Sequence, residues 1–181
     1  MMRSIMRSMI GMVLLTAVVL AAQDKREAPV DTAALAGFLV KAKYEGYASG
    51  DQSRIRKLGD DGLEATFAEG QFSYRDRWYG ETAFSGEEIV HCQGKPVWSM
   101  NFYGATSKGV QIPVEFPKFH KSALRRVTAA SPFRGPQFYQ EGELVYVNDV
   151  TGSIQEFSGV ERVLFRGREI FRLVYHGGLL Q

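Results

Sequence analysis

The apolar positions of the chain follow two different periods along its length. Between residues 31 and 46 they recur at helical spacing, at Leu35, Phe38, Leu39 and Ala42. Asp31 stands where it can cap such a helix, and Gly46 or Gly50 can end it. A second helix is predicted further along, with Pro117 in the first turn, where proline is tolerated, and with apolar positions at Phe116, Phe119, Leu124 and Val127.

The segment from Leu63 to Tyr103 has a different pattern, in which short aromatic and β-branched runs are separated by glycine. The runs are EATFAEG, FSYRDRWYG, FSGEEIVHC and KPVWSMNFYG. Runs of this kind are typical of strands in an antiparallel meander. Further strands are predicted between about Glu143 and His176. The predicted order of elements is therefore helix, strands, helix, strands.

The two halves of this order resemble each other in sequence. Residues 84–104, FSGEEIVHCQGKPVWSMNFYG, align without a gap with residues 157–177, FSGVERVLFRGREIFRLVYHG. We therefore predict an α+β fold with two pseudo-repeated helix-plus-antiparallel-meander units, at about residues 31–105 and 114–178, forming a single domain over residues 31–181. The alternative is that two unrelated hairpins have similar patterns.

Each aligned segment is predicted to be a hairpin, because Gly94 or Gly167 stands where a two-residue turn needs a positive φ. Such a turn places Glu88 opposite Ser99, and Glu161 opposite Arg172. One face of the hairpins is then apolar, with Ile89, Trp98, Met100, Phe102, Leu164, Phe171, Leu173 and Tyr175. The opposite face mixes apolar and polar side chains, which is typical of a ligand pocket.

This mixed face supplies the candidate ligand-binding residues. They are Glu88, Ser99, Asn101 and Tyr103 from the first hairpin, and Glu161, Arg172 and His176 from the second. A purely structural interpretation exists for several of them. Glu161 and Arg172 would then form a cross-strand ion pair, and His176 would be a solvated strand end.

The first 22 residues predict a secretory signal peptide. Arg3 and Arg7 precede an apolar run from Met9 to Leu20, which ends in Ala21 and Ala22. The run is too short to be a comfortable transmembrane helix. We therefore expect a secreted or periplasmic product without stable membrane insertion, in which residues 23–30 form a flexible lead-in.

Charge and cysteine content exclude several classes of partner and site. Of the 22 Lys and Arg residues, two lie in the predicted signal peptide, so 20 basic residues face 20 acidic ones in the remainder. This balance, without a basic run, predicts no nucleic-acid partner. Cys92 is the single cysteine of the chain, so no intramolecular disulfide can form.

Motifs of catalysis and metal binding are missing from the sequence. It contains no G-x-S-x-G elbow, H-E-x-x-H motif, phosphate-binding loop or C-x-x-C pair. His91, His120 and His176 are scattered, and His91 points away from Cys92 if both lie on one strand. We therefore expect no catalytic residue, no metal and no cofactor.

Three motifs, PVWSMNFYG (residues 96–104), SPFRGPQFY (131–139) and VYHGG (174–178), together resemble a bacterial family, the domain of unknown function numbered 5680. The likeness begins near FLVKAKYEGYASG (38–50) and extends over nearly all of the chain after the predicted signal peptide. Members often follow a helix-turn-helix segment in regulators of the XRE type. Here a predicted signal peptide takes that place, so the resemblance implies an effector-sensing domain without DNA binding.

The sequence thus predicts a non-catalytic, exported module that binds a small, partly apolar ligand between the mixed faces. One alternative is an exported hydrolase with Glu88 or Glu161 as general base, which requires a carboxyl group of raised pKa in a cleft. Another is a protein-interaction or inhibitor module of the cell envelope, with an exposed apolar patch around Tyr79, Phe133 and Phe138.

Overall fold

The computed structural model describes residues 30–180, which form one nine-stranded sheet with two helices packed on one face. The helices are α1 (Thr32–Glu45) and α2 (Phe116–Leu124). The strands are β1 (Ile55–Lys57), β2 (Leu63–Glu69), β3 (Phe72–Gly80), β4 (Ala83–Cys92), β5 (Lys95–Thr106), β6 (Phe138–Glu141), β7 (Leu144–Ser153), β8 (Glu156–Phe165) and β9 (Arg168–Leu179). The predicted signal peptide lies outside the described residues.

Both predicted helices are confirmed. The side chain of Asp31 accepts hydrogen bonds from the backbone N–H groups of Ala33 and Ala34, which caps α1. The helix ends at Gly46, whose N–H donates to the carbonyl of Ala42. Helix α2 has Pro117 in its first turn, as its sequence predicts.

The predicted fold class is wrong, because the strands form a single antiparallel sheet and the fold is mostly β. The strand order is β1-β2-β3-β4-β5-β9-β8-β7-β6. Strand β5 pairs with β9, with Phe102 opposite Tyr175, and this pairing joins the first five strands to the last four. The two helices, of 14 and 9 residues, cover one face of this common sheet. They therefore do not build separate helix-plus-meander units.

The predicted hairpin turns are confirmed. Gln93 and Gly94 have φ of 51° and 83°, and Arg166 and Gly167 have φ of 51° and 76°. These positive values are those of a type I′ turn, which suits the twist of antiparallel strands. The residues that flank the turns pair as predicted, with Cys92 opposite Lys95.

Beyond the turns, the predicted register is wrong by one residue. A β-bulge at Val90/His91 in the first hairpin, and one at Val163/Leu164 in the second, shifts the pairing. Glu88 consequently lies opposite Met100, and Glu161 opposite Leu173. Because side chains alternate along a strand, this shift moves a whole strand segment to the other face of the sheet.

The bulges decide which side chains form the core. Glu88 and Glu161 lie on the helix-covered face beside the predicted core residues, of which Trp98, Met100, Phe102, Phe171, Leu173 and Tyr175 are buried. Ile89 and Leu164, predicted to join them, lie on the opposite face and are only half-buried. The face shared by Glu88 and Ser99 that the sequence predicts does not form.

The junction between β5 and β9 depends on a close approach of backbones at Gly177. A Cβ atom on this residue would lie 2.0 Å from the carbonyl oxygen of Ser99. Gly177→Ala is therefore expected to lower the free energy of unfolding by about 1–3 kcal/mol, since the two strands must move apart. Urea denaturation measures this change.

Gly37→Ala is the matched control, because a Cβ atom at Gly37 would meet nothing within 4 Å. This glycine lies inside α1, where alanine favours the helix by about 0.5–1 kcal/mol, so the control is expected to raise the free energy of unfolding. Equal effects of the two substitutions would contradict the close packing at the junction.

Candidate functional site

Several charged and polar side chains are buried in this fold, most of them between the helices and the sheet. Buried polar side chains in the described part of the chain are Lys43, Glu64, Asp76, Glu88, His120, Asn148 and Glu161. Charged side chains are rarely buried unless they are paired. The partners of each buried charge therefore indicate which groups are structural and which remain available to a ligand.

Glu161 is the centre of the largest buried network and is 0% exposed. It accepts hydrogen bonds from Arg134 at 2.8 and 3.3 Å and from the hydroxyl of Tyr146 at 2.9 Å. The ring of His120 donates to the same carboxylate through Nε2. Burial by itself would raise the pKa of Glu161, but the charge of Arg134 and the hydrogen bonds that the carboxylate accepts hold it below its usual range. Glu161 is therefore a fully paired, ionised carboxylate.

The same network fixes the loop that carries Arg134. The N–H of Gly135 donates to the hydroxyl of Tyr146 at 2.9 Å, and the Asn148 side chain donates to the Gly135 carbonyl at 3.0 Å. Tyr175 in turn donates to Asn148 at 2.9 Å. A Cβ atom at position 135 would lie 2.7 Å from the Tyr146 ring, so glycine allows the loop to approach β7. Arg134 is thus fixed both by its own hydrogen bonds with Glu161 and by those of its neighbour Gly135.

Lys43 of α1 and Glu88 of β4 form a second buried ion pair. Burial lowers the pKa of Lys43, against the opposing effect of the Glu88 charge. The ammonium group also lies 5.9 Å from the centre of the Trp98 ring. Tyr74 lies beside this pair, and burial together with the negative Glu88 raises the pKa of its hydroxyl well above the usual value. Glu88 therefore has a structural partner, Lys43.

Asp76 differs from these acids, because its carboxyl group forms no hydrogen bond or ion pair with any residue in the range 30–180. The side chain is 8% exposed, and its Oδ1 atom is buried without a partner. Burial, followed by the charge of Glu88, raises the pKa of Asp76 to about 8, although Lys43 and Arg134 oppose the rise. Asp76 is therefore a protonated acid at neutral pH.

A cavity of about 290 Å³ lies above Asp76, between α2 and strands β1 to β5. Its walls are aromatic, with Tyr47 and Trp78 packed edge to face at 5.8 Å and Phe84 and Phe102 at 6.2 Å. Polar groups from three elements lie among these rings: Asp76 from β3, His120 and Lys121 from α2, and Arg134 from the loop before β6. Exposed residues also line the cavity and open it to solvent, namely Gln52, Glu81 and Pro117.

A smaller cavity of about 20 Å³ continues beneath the first and shares Asp76, Arg134 and Tyr47 with it. Lys43 and Glu88 are among its other lining residues. A polar space of this size holds about one water molecule. The two cavities together form a candidate site with apolar walls and a polar base, the usual composition of a small-molecule pocket.

The structure does not bring the seven predicted site residues together. Glu88 and Glu161 are buried on the helix-covered face, whereas the others lie on the opposite, open face: Ser99, Asn101, Tyr103, Arg172 and His176. Arg172 pairs with Glu169 at 2.8 Å on the surface. The bulges account for this division, since they turn each glutamate away from the polar residues of the neighbouring strand.

Three of the predicted residues do share one place on the open face. Asn101 lies opposite His176 across the β5–β9 pairing, and both line a shallow groove of about 770 Å³ with Ser99. Their role in ligand binding stays a prediction.

Asp76, His120 and Arg134 were not predicted as site residues. Alternation along FSYRDRWYG places Tyr74, Asp76 and Trp78 on one face, so a buried acid is readable from the sequence there. Arg134 lies in an irregular loop, where no periodicity shows the direction of a side chain.

The two alternative functions, a hydrolase and a protein-interaction module, require features that Glu161 and Phe133 do not show. Glu161 has a lowered pKa, whereas a general base in a hydrolase needs a raised one. In the predicted interaction patch, Phe133 is buried and stacks on Phe157 at a centroid distance of 4.0 Å. Tyr79 and Phe138 are exposed, but without Phe133 the three rings do not form one surface patch.

Residues 30–180 contain neither a cluster of metal ligands nor a helix that could span a membrane. No group of three or more His, Cys, Asp or Glu side chains is arranged to hold a metal ion. Within the same range, neither helix has the length and apolar character needed to cross a membrane.

Comparison with known proteins gave one match. The model of a family described as a domain of unknown function, DUF5680, matches residues 76–180, which contain Asp76, His120 and Arg134. Comparisons with curated proteins and with solved structures gave no match. Since the family model covers more than half of the chain, the protein belongs to the DUF5680 family.

Proposed function

We propose that this chain is an exported binding module that holds a small, partly apolar ligand in the 290 Å³ cavity between α2 and strands β1 to β5. The observation that carries this proposal is Asp76, a buried carboxyl group without a partner at the base of an aromatic cavity. Export rests on the predicted signal peptide, and the N-terminal residue of the exported product checks it.

The unpaired state of Asp76 is costly for the fold. A buried polar group without a hydrogen-bond partner costs about 1–3 kcal/mol. Proteins retain local costs of this kind at functional sites, where a ligand completes the missing contacts. The aromatic walls would contact the apolar part of the ligand, and Asp76, His120 and Arg134 would contact its polar part.

Binding without catalysis is favoured by the residues that line the cavity. Within the described range, they include no Ser, Thr or Cys that could act as a nucleophile. The Nε2 atom of His120 is engaged by Glu161, and Glu161 itself is saturated by hydrogen bonds. The cavity thus offers no Ser, Thr or Cys nucleophile beside a free His or Glu base.

Gln52→Trp tests this location, because Gln52 is an exposed residue at the opening of the cavity. Small aromatic and aliphatic metabolites that raise the Tm of the wild type are expected to lose most of that effect in the variant. A ligand at about 100 times its Kd stabilises a protein by about 2.7 kcal/mol, a shift that a thermal-shift screen detects.

Gln140→Trp is the matched control, since Gln140 is also exposed but lies on β6, away from the cavity. It should retain the full ligand-induced shift. Asn101→Ala reports on the open-face groove. Loss of the shift in Asn101→Ala, with Gln52→Trp unaffected, would move the site to that groove and contradict the proposed location.

A further inference from the structure

Resting on the proposed function, we infer that the cavity binds an α-amino acid with an apolar side chain, whose amino group contacts Asp76 and whose carboxylate contacts Arg134. The two residues lie on the same cavity but belong to different elements, β3 and the loop before β6. Each has hydrogen-bonding capacity that the fold leaves unused. The two unused capacities are opposite in kind, which is the pattern a zwitterion satisfies.

The first unused capacity is that of the Asp76 carboxyl group. The other buried acids in residues 30–180 all have cationic partners: Glu64 pairs with Arg56 and Arg77, Glu88 with Lys43, and Glu161 with Arg134. Asp76 has none there, and its Oδ1 atom lacks any hydrogen bond. An ammonium group supplies the missing donors.

The second unused capacity is one side of the Arg134 guanidinium group. Its Nε and Nη2 atoms donate to Glu161, whereas Nη1 has no hydrogen-bond partner within the described residues. The side chain is 11% exposed and lines both cavities. The Nη1 donors are therefore available to a carboxylate oxygen, the acceptor that a guanidinium group binds best.

The charges already in the site favour a ligand without net charge. The buried pairs Lys43–Glu88 and Arg134–Glu161 are each neutral, and Asp76 is protonated at neutral pH. An amine alone would add one positive charge and leave Nη1 of Arg134 unused. A carboxylate alone would add one negative charge and leave Oδ1 of Asp76 unused. The zwitterion satisfies both residues and adds no net charge to the buried site.

The walls of the cavity suit the remainder of such a ligand. Four rings, those of Tyr47, Trp78, Phe84 and Phe102, surround the space above the two charged contacts. Aromatic faces attract an ammonium group and also pack against an apolar side chain. An amino acid with a phenyl or branched aliphatic side chain therefore places its polar end at the base and its apolar end between the rings.

Isothermal titration calorimetry of the chain after removal of its predicted signal peptide tests the assignment with four probes. L-phenylalanine and L-leucine carry both charged groups, phenethylamine carries only the amine, and 3-phenylpropionate carries only the acid. We expect the two amino acids to bind, and phenethylamine and 3-phenylpropionate to bind about tenfold more weakly or worse than L-phenylalanine.

Asp76→Asn is expected to reduce the affinity for L-phenylalanine by about tenfold or more, since asparagine places an NH₂ donor beside the amino group and, unlike Asp76, cannot ionise on contact with it. Asp149→Asn removes an exposed acid of β7 outside the cavity and is expected to leave this affinity unchanged. Near-UV circular dichroism confirms that both variants fold, so a loss of affinity reports on the contact.

The remaining outcomes overturn the inference. Equal affinities of L-phenylalanine and phenethylamine would contradict the proposed contact between the carboxylate and Arg134. Preferred binding of 3-phenylpropionate would contradict the proposed contact between the amino group and Asp76. If neither amino acid binds while other metabolites still lose their Tm shift in Gln52→Trp, the inference fails and the proposed function stands. If no compound depends on the cavity in either experiment, the proposed function fails as well.

Discussion

Glu161→Gln is expected to lower the free energy of unfolding by about 3–5 kcal/mol, because it leaves a buried guanidinium group without its counter-charge. Glu161 is fully buried and accepts hydrogen bonds from Arg134, His120 and Tyr146. Glutamine has nearly the same shape, but its NH₂ group presents donors to other donors. The loop held by this network also carries the Gly135 contact with Tyr146, so the loss extends beyond one pair.

Chemical denaturation monitored by tryptophan fluorescence measures this loss. Glu143→Gln is the matched control, since Glu143 also accepts hydrogen bonds from an arginine, Arg166, at 2.9 Å, but both side chains are exposed. Exposed pairs of this kind contribute little to stability. A loss of less than about 1 kcal/mol in Glu161→Gln would mean that the buried network does not hold the fold together.

Asp76→Asn is expected to stabilise the protein, and increasingly so as the pH rises. The folded-state pKa of Asp76, about 8, lies above its ordinary value of 3.8 because of burial and the charge of Glu88. The folded state therefore binds this proton more tightly than the unfolded state does, and stability declines as the pH rises from about 4 to about 8. A shift of this size corresponds to a cost on the order of 5 kcal/mol once Asp76 is ionised in the folded state.

Urea titrations of both proteins at about pH 5 and about pH 9 check this expectation. At the lower pH the variant should be more stable by only about 1–2 kcal/mol, because pH 5 lies about one unit above the pKa of Asp76 in the unfolded state. At the higher pH the variant should be more stable by several kcal/mol, since asparagine has no charge to bury. A difference that does not change with pH would show that Asp76 has an ordinary pKa. Together with the calorimetry, the expected result is a variant that gains stability and loses binding.

Local features of the fold were predictable from the sequence, and non-local ones were not. The cap at Asp31 and the turns at Gly94 and Gly167 involve residues that are neighbours along the chain. The pairing of β5 with β9 joins residues about 73 positions apart, such as Phe102 and Tyr175. Alternation shows that a strand has a buried face, but it does not show which strand lies beside it. The α+β prediction failed at this point.

The sequence prediction placed the site on the wrong face because each hairpin contains one bulge, which shifts the strand register by one residue. The bulges at Val90/His91 and Val163/Leu164 have no clear sequence signal, yet they reverse the side on which Glu88 and Glu161 lie. The burial of Asp76 could have been predicted from the alternation of apolar and polar residues in β3. The position of Arg134 could not, since it depends on hydrogen bonds between its loop and two distant strands, β7 and β8.

The nine-stranded sheet ends on its two shortest strands. β1 has three residues and β6 has four, and both carry charged side chains, at Arg56, Lys57 and Glu141. An outer strand exposes unpaired backbone N–H and C=O groups that a neighbouring chain can pair with. A short, charged outer strand exposes few such groups and disfavours the pairing. Edge-to-edge association of two molecules could therefore form only a few backbone hydrogen bonds, which protects a protein with so large an open sheet from fibrous growth.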